Sequence, residues 1–174
     1  MSVKVVFKNS YSNVIKLLVV LIDDSLKLYG DIQQIDKKNK GIVSKTIKAK
    51  SFTGKSKEKL SFLGLNAGNI EEIVLYGIGN SSVIKQDDAE RIGGNIYSSI
   101  SKKTKDIAIS TKSYKNLNFS LEQFTSHIAQ GFILRAYNFN KYKYKTDPKI
   151  ISNLKTIELV NEKPSETKKI YSSL

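Results

Sequence analysis

Residues 69 to 101 read NIEEIVLYGIGNSSVIKQDDAERIGGNIYSSIS, and this stretch decides the fold. Ile73 to Ile78 is an almost unbroken apolar run. A strand covered on one face alternates, so a continuous run marks a central strand covered on both. Helical spacing then takes over. Ile92, Ile96 and Ile100 fall four apart, which sets one apolar face of a helix from Asp87 to Ser101. Asp87 is placed to cap that helix, with Glu90 three residues on, the spacing of a capping box. Gly93 lies beside the apolar stripe, where a missing side chain permits close packing. A buried strand leading into an amphipathic helix is the unit of an α/β domain.

The flanks extend the pattern. Val3 to Phe7 and Val14 to Ile22 are β-branched and apolar, and the turn-like Asn9 to Asn13 separates them. This predicts a hairpin or two adjacent strands, and so a sheet that is not all parallel. From Leu26 to Ile47 the apolar residues recur at mostly helical spacing. Gly30 and the Lys37 to Gly41 break divide the stretch into two short helices. Lys59 to Leu65 and Asp106 to Ser110 read as strands. Ser120 and Gln123 repeat the capping signature before a second amphipathic helix, lined by Leu121, Phe124, Ile128, Phe132 and the stem of Arg135. Leu154 to Val160 alternates, which predicts a half-buried edge or antiparallel strand. Pro164-Ser165-Glu166 reads as a helix start. The expected fold is α/β, a mixed sheet flanked by helices.

A chain of 174 residues is most simply one domain and can bury one good core without staples. It has no cysteine, which excludes a disulfide framework, a thiolate nucleophile and a zinc–thiolate site, and fits the cytoplasm. The longest apolar run, Val14 to Ile22, is far short of a membrane span and lacks the flanks of a signal peptide. The net charge of +13 invites a nucleic-acid reading. Only Arg91 and Arg135 are arginine, however, and the rest of the basic residues are lysine. Lysine in place of arginine throughout, with abundant Ile, Asn and Ser, is the mark of an AT-rich genome. Readers of nucleic acid favour arginine for bidentate contacts.

Several motifs approach known chemistry and miss it. Ala49 to Ser56 nearly spells a phosphate-binding P-loop, but Ala49 stands where the first glycine belongs and a strand follows in place of a helix. Gly77-Ile78-Gly79 sits between strand and helix as a dinucleotide loop would, but Ser82 replaces the third glycine. Asn66 to Asn69 is faintly similar to the asparagine loop of ADP-ribose-binding macrodomains, without the glycine-rich stretch that cradles the phosphates. His127 is the only histidine, and a metal site or nucleophile–base pair needs partners, so it reads as a partly buried helix residue. The pairs Asp23-Asp24, Glu71-Glu72 and Asp87-Asp88 lack metal-ligand spacing. The stretch Tyr137 to Lys145 interleaves aromatics with lysines. Such alternation makes an ordinary strand, Tyr in and Lys out. It also makes Lys141, Tyr142, Lys143, Tyr144 and Lys145 the best nucleic-acid contact candidates, since bases stack on aromatics while lysines meet phosphate.

Two segments, taken in order, carry a family resemblance. Ile128-Ala129-Gln130-Gly131-Phe132, Leu134, Tyr137 and Phe139, followed by Lys141-Tyr142-Lys143, resemble the helix and aromatic-lysine tail in the N-terminal domain of the cytosol (leucyl) aminopeptidases. Ile73 to Gly79 is similar to that domain's apolar strand ending in Gly-x-Gly, and Arg91 and Gly94 fit its helix. The resemblance covers the chain through Val160. It departs at Lys143-Tyr144-Lys145-Thr146-Asp147, where a tyrosine interrupts the usual Tyr-Lys-Thr-Lys.

The resemblance implies a macrodomain-like domain over residues 1–160, with 161–174 beginning a linker helix toward a catalytic domain. It implies an architectural role, in a hexamer and over access to an active site, for a parent enzyme of the cytoplasm that releases N-terminal amino acids with two metals, manganese or zinc. The family's Asn-Thr-Asp-Ala-Glu-Gly-Arg signature and its metal ligands do not occur here, so no catalytic, cofactor or metal residue is assigned to this chain. The expected partners are the catalytic domain and sister subunits. Nucleic acid is the alternative, an ADP-ribose-binding macrodomain a third reading, and no membrane is expected.

Overall fold

The computed structural model describes residues 3–100, 104–112, 117–143 and 153–174, with backbone alone at 138–143. The elements in order are β1 (Lys4–Lys8), β2 (Leu17–Asp23), α1 (Gly30–Lys38), α2 (Ile42–Ala49), β3 (Lys59–Leu63), β4 (Glu72–Gly79), a 3-10 turn (Ser81–Val83), α3 (Gln86–Ser99), β5 (Asp106–Ser110), α4 (Leu121–Lys143), β6 (Thr156–Val160) and α5 (Pro164–Tyr171). Six strands form one sheet in the order β1-β6-β5-β2-β4-β3. Only β3 runs antiparallel to its neighbour; the other pairings are parallel.

The central strand shows why the fold has three layers. In β2, Leu17, Val19 and Leu21 point to one face, and Leu18, Val20 and Ile22 to the other. Side chains alternate along a strand, so a strand apolar at every position needs cover on both sides. Residues of α3 and α4 cover the first face, and those of α1 and α2 the second. The helix α5 docks beside α4 and β1. Its Thr167 is fully buried, Ser126 Oγ donates to the Thr167 carbonyl at 3.0 Å, and the Tyr171 ring lies 5.3 Å from Phe7.

Two expectations about the sheet are corrected. β1 and β2 are not adjacent, because β6 and β5 lie between them. Residues 9–16 are therefore a crossover between parallel strands, although such connections usually take a dozen residues or more. The mixed character of the sheet comes from β3. The second correction concerns β6, which is an interior parallel strand between β1 and β5 rather than an edge. Its alternation misled because Glu158 is buried, at 4% exposure. A buried carboxylate persists only when it is paired and hydrogen-bonded. Lys8 Nζ lies 3.0 Å from it, the Ser12 N–H donates at 2.8 Å, and the Ser12 hydroxyl donates as well. Burial pushes this carboxyl up, but the Ser12 donors and the Lys8 ammonium outweigh it and hold Glu158 below the usual carboxylate range. Glu158 thereby pins the crossover to the sheet.

Candidate functional site

A cleft opens where α3 and α4 meet the carboxyl end of β4. Its volume is about 930 Å³. Glycines set the approach of the two helices. A Cβ at Gly93 would lie 2.0 Å from the Ile128 carbonyl oxygen, and one at Gly131 only 1.9 Å from that of Glu90. The backbones therefore touch, as the position of Gly93 beside the isoleucine stripe suggests. Ile92 and Ile96 interlock with Phe124, Ile128 and Phe132, and Tyr97 meets Phe132 edge to face at 5.3 Å. Arg135 does not extend the buried stripe; Ala136 does, while Arg135 is exposed with its stem over Gly94.

The cleft walls carry both signs of charge, with Asp87 and Asp88 facing Lys57, Arg91 and Arg135, and with Val83 and Leu134 exposed at the rim. The cap of α3 differs from the expected one. The helix starts one residue earlier, after Lys85, whose N–H donates to the Asp88 carboxylate at 2.9 Å. That bond, with the Arg91 guanidinium beside it, holds the Asp88 carboxyl below its ordinary value. Glu90 is thus free to reach His127, whose Nδ1 lies 2.9 Å from its Oε1. His127 is 7% exposed, a buried residue of α4 with a single carboxylate neighbour. Nothing in the spacing of residues 90 and 127 signals this pair. Among the described residues, no group of three His, Cys, Asp or Glu side chains could hold a metal ion.

The two near-motifs for phosphate lie against each other. The Gly77 N–H donates to the Glu58 carbonyl at 2.7 Å, the Gly79 N–H to Gly54 at 2.8 Å, and the Lys57 N–H to Gly77 at 3.0 Å. A Cβ at Gly77 would sit 2.1 Å from the Lys55 carbonyl oxygen, so this glycine admits the loop. The Glu58 carboxylate takes the N–H groups of Thr53 and Lys55 and the Thr53 hydroxyl, at 3.0, 3.2 and 2.7 Å. Donors that would cradle a phosphate are filled from within the chain.

In open α/β sheets, ligands bind outside the carboxyl ends of the strands, where successive connections leave for opposite faces. Here that point lies between β2 and β5. Lys112 crosses it, with Nζ 3.5 Å from Asp31 and with its Cβ 3.4 Å from where a Cβ on Gly30 would stand. Ser81 Oγ donates to Asp23 at 2.7 Å, and Asn118 donates to the Ser82 carbonyl. The asparagine stretch Asn66 to Asn69 instead borders a separate pocket of about 220 Å³, with Tyr11, Asp31 and Lys38. Of the aromatic-lysine stretch, residues 137–143 continue α4 as helix, which replaces the alternating strand; Tyr144 and Lys145 lie outside the described residues.

A six-stranded mixed sheet between two helical layers defines a macrodomain-like α/β protein. A variant macrodomain of Oceanobacillus iheyensis superimposes with a TM-score of 0.59 at 14% identity, covering 97% of this chain and 89% of that one. Within that class, the chain belongs to the cytosol aminopeptidase family, whose N-terminal domain matches residues 19–146. A probable cytosol aminopeptidase of Rickettsia rickettsii is 30% identical over 171 residues, covering 95% of this chain and 33% of the relative. A tomato leucine aminopeptidase variant gives a TM-score of 0.71 at 19% identity, over 98% of this chain and 35% of that one. The chain thus spans about a third of the length of the relatives it matches. No described helix is long and apolar enough to cross a membrane.

Proposed function

We propose that this chain is the non-catalytic N-terminal domain of a leucyl aminopeptidase of the cytoplasm, working in hexamer architecture and in access to the active site. The observation that carries the reading is the family match over residues 19–146 in a chain that spans a third of its relatives. The parent reaction is release of N-terminal amino acids from peptides. Two divalent metals, manganese or zinc, would supply water activation and carbonyl polarisation from the catalytic domain. This domain contributes shape. Its last helix, α5, docks on α4 and β1.

The test has two arms. The chain alone, with manganese added, is expected to leave a leucine amide reporter unhydrolysed; metal-dependent turnover by these 174 residues would sink the reading. Removal of the matching domain from a full-length relative is expected to change its subunit assembly in analytical ultracentrifugation. A truncated enzyme that kept both its assembly and its activity on long peptides would refute the architectural role.

A further inference from the structure

The sheet ends at β3, and the outer edge of that strand is open. In an antiparallel pair, alternate residues exchange backbone bonds with the neighbour, and the residues between them turn theirs away. The Gly77 N–H donates to the Glu58 carbonyl at 2.7 Å, and the Gly64 N–H donates to the Glu71 carbonyl at 3.2 Å. Both bonds fit the register that sets Lys59 against Tyr76. Residues 58, 60, 62 and 64 therefore face β4, and the N–H and C=O groups of Lys59, Ser61 and Leu63 point away from the sheet. Among the described residues, no other strand takes them up. Edge strands are ordinarily blunted by proline, a bulge, charge or a covering element. β3 has no proline, pairs with β4 in unbroken register, and carries its one charge at its first residue, Lys59.

The side chains show what this edge is shaped to meet. Leu60 and Phe62 turn toward the core on the side of α1 and α2. Lys59, Ser61 and Leu63 share the other face, and all three are exposed, Leu63 to 76%. The helical layer on that face reaches only as far as a pocket of about 230 Å³, where Ser99 and Ile100 at the end of α3 meet Ser61 and Val74. A second copy of the same strand fits the edge. Paired antiparallel about Ser61, it sets its Lys59 opposite Leu63, its Ser61 opposite Ser61 and its Leu63 opposite Lys59, and each pair exchanges two backbone bonds. On the exposed face, Leu63 then lies between the second copy's Lys59 and Glu72 of its own sheet, its neighbour in β4. Two strand spacings, about 9.6 Å, separate that lysine from Glu72, and the two side chains span them with the lysine stem laid over Leu63. One contact thus covers an exposed apolar side chain and brings opposite charges together. Among the described residues, neither Lys59 nor Glu72 has an ion-pair partner within the chain. The two copies of Lys59 stand four residues apart along the strands, about 14 Å, so they do not repel at close range. On the other face Leu60 comes opposite Phe62, an apolar cross-strand pair.

We propose that β3 is a self-association edge, through which two copies of this chain pair antiparallel across a two-fold axis at Ser61 and join their sheets into one. The inference concerns this chain alone and does not rest on the parent enzyme or on its hexamer.

A contact of five residues a side falls below the roughly 1,200 Å² of a standard interface, so the equilibrium is sought between about 10 μM and 1 mM. Sedimentation velocity of the whole chain is expected to show monomer passing into dimer over that range. Ser61→Pro removes only an outward N–H, which an edge strand tolerates. By symmetry it deletes two bonds between the copies, and association is expected to weaken about 30-fold. Leu63→Lys sets lysines directly opposite each other at two places and is expected to weaken association about tenfold or more. Leu134→Lys, at an exposed apolar position of α4, leaves it unchanged. Because the chain has no cysteine, single cysteines report the register. The thiols of a Ser61→Cys variant meet at the axis, on residues about 5.5 Å apart, and those of a Lys59→Cys variant stand on residues about 14 Å apart, so a thiol cross-linker of about 8 Å joins the first and not the second. The proposal is overturned by a chain that stays monomeric at about 1 mM, by association that Leu134→Lys abolishes and Leu63→Lys does not, or by cross-linking as fast in the Lys59→Cys variant as in the Ser61→Cys variant. Loss of assembly in a truncated relative bears on the hexamer and leaves each of these outcomes unchanged.

Discussion

Gly93 and Gly94 are neighbours on α3, yet replacing each by alanine should move stability in opposite directions. At Gly93 the new Cβ would stand 2.0 Å from the Ile128 carbonyl oxygen and 2.9 Å from the Phe132 nitrogen. Both are backbone atoms of α4, so no side chain can rotate away. Contact at roughly 3.4 Å requires the helices to part by more than 1 Å. A radial gap of only about 0.5–1 Å already forfeits a quarter to a half of each dispersion well it opens. The contacts affected include Ile92 and Ile96 against Ile128 and Phe132, all buried. Overpacking of this kind costs about 1–3 kcal/mol or somewhat more, against about 1 kcal/mol gained from alanine's helix propensity. The net loss for Gly93→Ala is about 2 kcal/mol. At Gly94 the Cβ meets the Gly131 carbonyl oxygen at 3.5 Å and the Arg135 Cβ at 3.6 Å, ordinary contacts. Only the propensity gain remains there, so Gly94→Ala should stabilise by up to about 1 kcal/mol. Urea unfolding followed by circular dichroism reads both as midpoint shifts at constant slope. Equal shifts for the two variants, or a Gly93→Ala protein as stable as the parent, would refute backbone contact between α3 and α4.

Glu158 predicts an acid-sensitive share of stability. Its carboxyl is held below the ordinary range in the folded chain, so its contribution is complete above the unfolded value near pH 4.3 and is lost as pH falls through the folded value. Glu158→Gln should cost about 2 kcal/mol at pH 7, and the gap should narrow toward pH 3; a gap constant with pH would remove the reasoning. Ser120 and Gln123 exchange two bonds at the start of α4, at 3.1 and 3.2 Å, so Ser120→Ala should cost about 1 kcal/mol in the same unfolding assay, and no loss would mean the cap is idle. ADP-ribose should give no saturable heat in calorimetry, because Lys112, Asp31, Ser81 and Asp23 cross the crevice with their own bonds; micromolar binding would overturn that.

The α/β class, both short helices α1 and α2, and the strand–helix unit from β4 to α3 were legible because each rests on local periodicity. The capping box of α4 was legible for the same reason: Ser120 and Gln123 are three residues apart. What failed depended on partners distant in sequence. β6 looked like an edge because Thr156 and Glu158 are polar, and only Lys8 and Ser12, about 150 residues away, make a buried glutamate tolerable. The placement of β1 depends on the same contact. Asn9 to Asn13 has the composition of a tight turn, and nothing local distinguishes a turn from a crossover. Glu90 has the capping-box spacing from Asp87, but it faces His127 across the helix interface. The Gly-x-Gly of β4 has the place of a dinucleotide loop between strand and helix, and its glycines admit the Gly54 to Glu58 loop instead.

That loop also bears on how a sheet of this class is used. A parallel sheet gains a ligand site at its carboxyl ends only when backbone donors and side chains there are left open. In this chain they are spent internally: Thr53 and Lys55 on Glu58, Gly79 on Gly54, Ser81 on Asp23, Lys112 on Asp31. Each bond lowers the free energy of the empty domain and raises the cost of admitting a phosphate, which would have to displace a carboxylate already seated.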